Sequence, residues 1–172
     1  MRLLRVDVGN TQTVVGVDDG DGPHTWRLST QASRTADEWE LFLRSLLGAV
    51  GDGFHGAAMS SVVPAATVAL RTALRRLTGH EPVVVGPGTR TGMPLRVDNP
   101  REVGADRIVN ALGAIAAYGA PVITVDFGTA TTVDLVGPDG DYRGGAIAPG
   151  IQVAADALVN ATAALRRVDV AA

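Results

Sequence analysis

The sequence predicts an α/β protein built from two similar halves, each a strand meander followed by helix. Three observations carry this. Short β-branched runs alternate with segments of helical period along the chain. A strand, Asp-x-Gly turn, strand pattern occurs twice: residues 6–17 and 125–136, offset by 119, agree at Val6/Val125, Asp7/Asp126, Gly9/Gly128, Thr13/Thr132, Val14/Val133 and Val17/Val136, six of twelve positions. Finally, 172 residues that are 46% hydrophobic and 19% charged suffice to bury a core.

Taken in order, residues 3–8 and 13–17 are strands joined by the polar turn Gly9-Asn10-Thr11-Gln12, and residues 24–28 complete a meander. Thr35 with Glu38 three positions on forms a capping box, after which Trp39, Phe42, Leu43, Leu46, Leu47 and Val50 recur at helical spacing. Trp39 and Phe42 read as core. A strand over 56–63 leads to Pro64, suited to the first turn of a helix with Leu70, Leu74 and Leu77 on one stripe, ending at Gly79. Residues 82–86 form another strand. Asn99 and Pro100 suit the cap and first turn of a helix over 101–118 with Ile108, Leu112 and Ile115 inward. Strands over 122–125, 132–136 and 142–147 and a helix over 151–165 complete the second half. The halves divide at 1–119 and 120–172.

Composition narrows the chemistry. All 15 basic residues are Arg, which removes the Walker A lysine, Schiff-base chemistry and a lysine base. Without Cys there is no disulfide, thiolate nucleophile or cysteine zinc site, which fits a reducing compartment. A net charge of −3 with no Arg-rich, aromatic-interleaved segment argues against nucleic acid as a partner. The start of the chain holds Asp7 within a short apolar run and does not read as a secretory signal. The uncharged stretch 108–125 contains Asn110, Gly113, Gly119 and Pro121, so it reads as helix then strand rather than a membrane span. The expectation is a soluble, cytoplasmic protein.

A Gly in a strand-to-strand turn lets backbone approach a ligand, and the N–H and hydroxyl groups that follow can face phosphate oxygens. Asn10, Thr11 and Thr13 supply such donors after Asp7, and Thr129, Thr131 and Thr132 after Asp126. An Asp beside phosphate is repelled unless a cation lies between, so each Asp is a candidate to hold a cation or a water. One such turn alone is ordinary hairpin chemistry. A third group is Asn99 to Arg107: on a continuous helix Glu102 and Asp106 share a face, Asp106 could accept a proton from an attacking alcohol, and Arg107 offers a fork for an anion. The alternative is a surface Asp-Arg pair near a helix start. His24, His55 and His80 lack metal-ligand spacing and read as surface loop residues. Asp18, Asp19 and Asp21 with Gly20 and Gly22 read as a solvated hairpin tip.

Five segments in series, Asp7-Val8-Gly9-Asn10-Thr11, Ser60-Ser61-Val62-Val63-Pro64, Asn99-Pro100 to Gly104-Ala105-Asp106-Arg107, Asp126-Phe127-Gly128-Thr129-Ala130-Thr131-Thr132 and Gly144-Gly145-Ala146-Ile147-Ala148-Pro149-Gly150, resemble the type III pantothenate kinase family over the whole chain. The resemblance implies two ribonuclease-H-like domains of the actin, sugar kinase and Hsp70 superfamily, mixed sheets flanked by helices, with ATP held between them. It implies ATP-dependent phosphorylation of pantothenate, the first step of coenzyme A synthesis. Carried over by motif, Asp7, Val8, Gly9, Asn10, Thr11, Gln12, Thr13 and Val14 form the first phosphate loop and Thr129 a second nucleotide contact. Asp126 holds a monovalent cation (potassium or ammonium), with magnesium accompanying ATP. Gly104, Ala105, Asp106 and Arg107 bind pantothenate, Asp106 accepts the proton, and the protein is a homodimer.

Two departures stand out. Val97 occupies a substrate-pocket position that is often Tyr in the family. The chain also ends at Ala172, after Leu165-Arg166-Arg167, where the family continues; as a truncated chain it is expected to leave apolar sheet surface exposed in its second half, to be aggregation-prone and to have little kinase activity alone. The competing classes are a non-catalytic accessory factor in transcription and an inactive fragment. Retention of Asp106 and both Asp-x-Gly turns favours catalysis.

Overall fold

The structure, a computed structural model, describes residues 2–18, 22–48, 50–51, 53–86 and 88–162. It divides into two compact units: residues up to Thr89 together with Gly104–Asp106, and Arg90–Val103 with residues from Arg107 onward.

The first unit contains β1 (Leu3–Val8), β2 (Gln12–Asp18), β3 (Pro23–Ser29), α1 (Ala36–Leu47), β4 (Gly56–Ser61), α2 (Pro64–Thr78) and β5 (Val83–Val85). Its sheet runs β3-β2-β1-β4-β5, with β2 antiparallel to β1 and β3, and β4 parallel to β1 and β5. Alternation puts Leu4, Val6, Val8, Thr13, Val15, Val17, Ala57 and Met59 on one buried face. Trp39, Leu43 and Leu47 of α1 and Ala66, Leu70, Ala73 and Leu74 of α2 join it in one apolar core. The capping box forms as expected: Glu38 N–H donates to Thr35 Oγ1 at 3.3 Å and Thr35 N–H to Glu38 Oε2 at 2.7 Å. Pro64 opens α2, and Gly79, at φ +73°, closes it with an N–H bond to Arg75 O at 2.9 Å.

The second unit contains α3 (Ala105–Tyr118) from Arg107, then β6 (Val122–Phe127), β7 (Ala130–Val136), β8 (Tyr142–Pro149) and α4 (Ile151–Ala161). β6, β7 and β8 form an antiparallel sheet in that order. Leu95 adds a parallel bridge to Tyr142, with Arg96 N–H donating to Tyr142 O at 2.7 Å and Tyr142 N–H to Pro94 O at 2.8 Å. One sheet face carries buried Asp134, Val136 and Tyr142; the other carries Ile123, Val125, Phe127, Val133 and Leu135, all exposed, with Phe127 at 70%. Ile123, Val125 and Phe127 correspond to Leu4, Val6 and Val8, which are buried in the first unit. The expected exposed apolar sheet surface is therefore present.

Several expectations are corrected. The helix expected over 101–118 is two elements: a 3-10 turn, Pro100–Glu102, then extended Val103, then α3. Asn99 closes that turn on itself, accepting from Arg101 N–H at 3.3 Å and donating to Glu102 Oε1 at 2.6 Å, so its side chain competes with helix continuation. Glu102 and Asp106 consequently do not share one helical face. Phe42 is 44% exposed beneath the Arg34 guanidinium, 4.1 Å from its ring, whereas Trp39 is core. His24 lies in β3 stacked on Trp26 rather than in a loop. Residues 163–165 of the expected last helix and 19–21 of the hairpin tip lie outside the described residues.

Candidate functional site

The carboxyl ends of neighbouring parallel strands are where α/β sheets bind ligands, and in the first unit β1 and β4 bring Asp7 there. Asp7 lies on the sheet face opposite the apolar core, with Val14 and Ser60 as its register partners. Asp7 Oδ1 and Ser60 Oγ are shielded from solvent.

The turn that follows is tightly specified. Gly9 N–H donates to Gln12 O at 2.9 Å, and a Cβ on Gly9 would stand 3.1 Å from that oxygen. Thr30 braces the turn from outside: its Oγ1 donates to Gly9 O at 2.7 Å and lies 2.9 Å from Thr13 Oγ1, and its N–H donates to Thr11 O at 2.9 Å. Asn10, Thr11 and Gln12 are exposed; Gln12 Oε1 accepts from Arg27 Nη1 at 3.1 Å. Val8 and Thr13 are fully buried on the core face, so the Thr13 hydroxyl secures the turn through Thr30 instead of facing outward.

Asp106 belongs to this same unit. A Cβ built on Gly104 would collide with Asp106 Oδ1 and lie 4.0 Å from Val62 Cγ1, so the segment sits beside the residue that follows β4, and the Asp106 carboxylate folds back over Gly104. Ala105 is buried and Asp106 partly exposed.

In the second unit, the turn between β6 and β7 is one residue shorter than its counterpart: Gly128-Thr129 against Gly9-Asn10-Thr11. Asp126 therefore pairs with Thr132, whereas Asp7 pairs with Val14, and Thr132 shares Asp126's face while Thr13 does not share Asp7's. Asp126 and Thr129 are exposed. Gly150, the residue capping α4, donates its N–H to Thr129 O at 3.0 Å, and any Cβ there would overlap the carbonyls of Gly128 and Thr129. The first turn of α4, with its outward N–H groups and positive dipole end, thus adjoins Thr129.

Arg107 and Val97 also lie in this unit. Arg107 Nε donates to Asp134 Oδ1 at 2.8 Å, its Nη2 lies 2.6 Å from the same oxygen, and Tyr142 OH donates to it at 2.6 Å. Burial, then the bond to Asp134, pushes the Tyr142 hydroxyl pKa well up. Val97 Cγ1 would stand 3.4 Å from a Cβ on Gly144, whose φ is +94°.

Among the described residues, no three His, Asp or Glu come together to hold a metal. Asp126 offers a single exposed carboxylate, an oxygen donor of the kind that suits a hard cation rather than a transition metal. No helix of the described residues is long and apolar enough to cross a membrane.

Sequence reasoning missed Thr30, Asp134, Tyr142 and the parts played by Ser60 and Gly150. Asp134 could have been found as the acidic residue within the apolar run Val133–Val136, where burial requires a partner.

Comparison with known proteins shows the family. The type III pantothenate kinase family model matches residues 3–172. The type III pantothenate kinase of Streptomyces griseus is 49% identical over 178 residues, covering 98% of this chain and 67% of the relative. That of Rhodococcus jostii is 52% identical over 173 residues, covering 97% and 64%. The chain thus spans about two thirds of the length of these curated relatives. Among solved structures, an Aquifex aeolicus Ppx/GppA phosphatase superposes with a TM-score of 0.54 at 14% identity, covering 91% of this chain and 55% of that one. The ethanolamine utilization protein EutJ of Carboxydothermus hydrogenoformans gives 0.53 at 17%, covering 94% and 56%. At those identities the likeness is one of fold, and it bears out the α/β class read from the sequence.

Proposed function

The chain belongs to the type III pantothenate kinase family, and on that premise we propose that its site transfers the γ-phosphoryl group of ATP to the primary hydroxyl of pantothenate, the first step of coenzyme A synthesis. The single observation that carries the chemistry is the placement of Asp7 and the Gly104–Asp106 segment in one compact unit, at the carboxyl ends of adjacent parallel strands. Residues 7–14 hold the nucleotide phosphates through the backbone of the turn and the exposed Asn10 and Thr11. Thr129, beside the α4 N-terminus, is a further nucleotide contact. Gly104, Ala105, Asp106, Arg107 and Val97 bind pantothenate.

In the reaction the pantothenate hydroxyl attacks the γ-phosphorus, its proton passes to the Asp106 carboxylate, the new P–O bond forms as the bond to the β-phosphate oxygen breaks, and ADP leaves. The transition state is loose, so positioning and charge compensation supply most of the acceleration and a lysine is dispensable. Asp126 would hold a potassium or ammonium ion, and such an ion, with magnesium accompanying ATP, would supply compensating positive charge. We propose further that the protein acts as a cytoplasmic homodimer, and that its functional halves divide near residue 119.

The test compares the parent chain with Asp106→Asn in a coupled assay of ADP release with pantothenate. Loss of a general base lowers turnover by about 10²- to 10⁴-fold, while ATP binding is retained. Equal phosphopantothenate formation by both would remove Asp106 as the base.

A further inference from the structure

We propose that Asp134, assisted by Tyr142, is a positioning residue that aims the Arg107 guanidinium at the carboxylate of the bound substrate; this rests on the pantothenate reading given above. Asp134 is 1% exposed in the middle of β7, and its Oδ1 takes Arg107 Nε at 2.8 Å, Arg107 Nη2 at 2.6 Å and Tyr142 OH at 2.6 Å. A buried carboxylate is costly unless paired and hydrogen-bonded, so two hydrogen bonds on one oxygen, from Arg107 Nε and Tyr142 OH, with the Nη2 charge close by, define a single arrangement.

That arrangement fixes which part of the guanidinium serves what. The fork is planar and rigid, with an Nε/Nη2 edge and an Nη1/Nη2 edge. Asp134 takes the first, and Nη2 is itself shielded from solvent, so a substrate anion meets the fork at Nη1. The slot has walls on the remaining sides. The Arg107 guanidinium carbon stands 5.9 Å from the Tyr142 ring centre, and a Cβ on Gly145 would come 2.9 Å from Arg107 Nη2 and into the Val133 carbonyl, so the backbone of β8 closes against the cation. Pairing of residues 94–96 with Tyr142 ties the segment that carries Val97, another proposed pantothenate contact, to the same residue. Arg107 is thus a pre-set fork whose angle is chosen by β7 and β8, not a mobile surface cation.

The experiment titrates pantothenate into the parent chain, Asp134→Asn, Tyr142→Phe, Arg107→Ala and the double variant Asp134→Asn/Arg107→Ala, with ATP titrated in parallel. The Arg107 Nε–H resonance is followed by ¹⁵N NMR. Asp134→Asn should weaken pantothenate binding about tenfold and Tyr142→Phe about threefold, since bonds to a charged partner are the stronger class. ATP affinity should not change, and the Nε–H resonance should move. In the Arg107→Ala background, Asp134→Asn should add no further loss, which distinguishes positioning from a general structural role. Tyr142→Phe keeps the ion pair and so keeps the test alive should Asp134→Asn fail to fold. Undiminished pantothenate binding in both single variants, or a loss that persists without Arg107, overturns the inference alone. A parent chain that does not bind pantothenate overturns the underlying reading and the inference with it.

Discussion

Gly104 and Asp106 constrain each other: a methyl group at position 104 would occupy the space of the Asp106 carboxylate. Gly104→Ala should therefore displace the proposed base, lowering turnover at least tenfold with ATP affinity unchanged, as steady-state kinetics beside a nucleotide titration would show. A misplacement on the ångström scale is enough for such a loss. Unchanged turnover would mean that the carboxylate has another productive position. Asp106 and the Asp-x-Gly turns could be singled out as candidates because Gly and Asp carry their chemistry locally. The partner of Arg107 was not legible, because it lies on a strand 27 positions away, and no local pattern records a cross-element ion pair. Thr13 was legible as a donor but not as a buried one, since its direction depends on the three-residue turn that sets the β1–β2 register.

At the scale of elements, α1 owes its start to the Thr35–Glu38 capping box, and Thr35→Ala should cost about 1 kcal/mol in chemical denaturation. The hydrogen bonds from Thr35 hold the Glu38 carboxyl below the ordinary glutamate range. A carboxyl lowered in the folded state stabilises it above the unfolded pKa, and that contribution is lost as the pH falls through the folded value. The Thr35→Ala penalty should accordingly shrink in acid and be full at neutral pH; a penalty independent of pH would contradict the reciprocal cap. The end of α2 gives a second case. Gly79 sits at φ +73°, and Gly79→Ala should cost about 1 kcal/mol through left-handed strain alone, there being open space for the added methyl. Both helix boundaries were readable from side-chain chemistry. The break between Pro100 and α3 was not: Asn99 and Pro100 do start a helical turn, but nothing local announces that Val103 leaves it extended before Gly104.

At the scale of the molecule, the doubled strand-turn-strand pattern held as topology and differed in cover. The face that is core in the first sheet is open in the second, where Ile123, Val125, Phe127, Val133 and Leu135 stay exposed. An apolar face of this extent promotes association, so light scattering should rise with protein concentration, and Val125→Lys should suppress that rise without altering the melting of the first unit. Scattering that is flat for the parent chain would show the face to be inert. The one-residue difference between the two turns explains why a repeat with six matches of twelve still gives unlike side-chain directions on β2 and β7. Family membership points to phosphoryl chemistry, and the decisive question is what accepts the group. Such turnover as the chain supports with ATP and pantothenate, however slow, should give ADP and a phosphomonoester resonance by ³¹P NMR in equal amounts, both dependent on pantothenate. ADP with inorganic phosphate in place of that ester, or nucleotide turnover indifferent to pantothenate, would contradict the account.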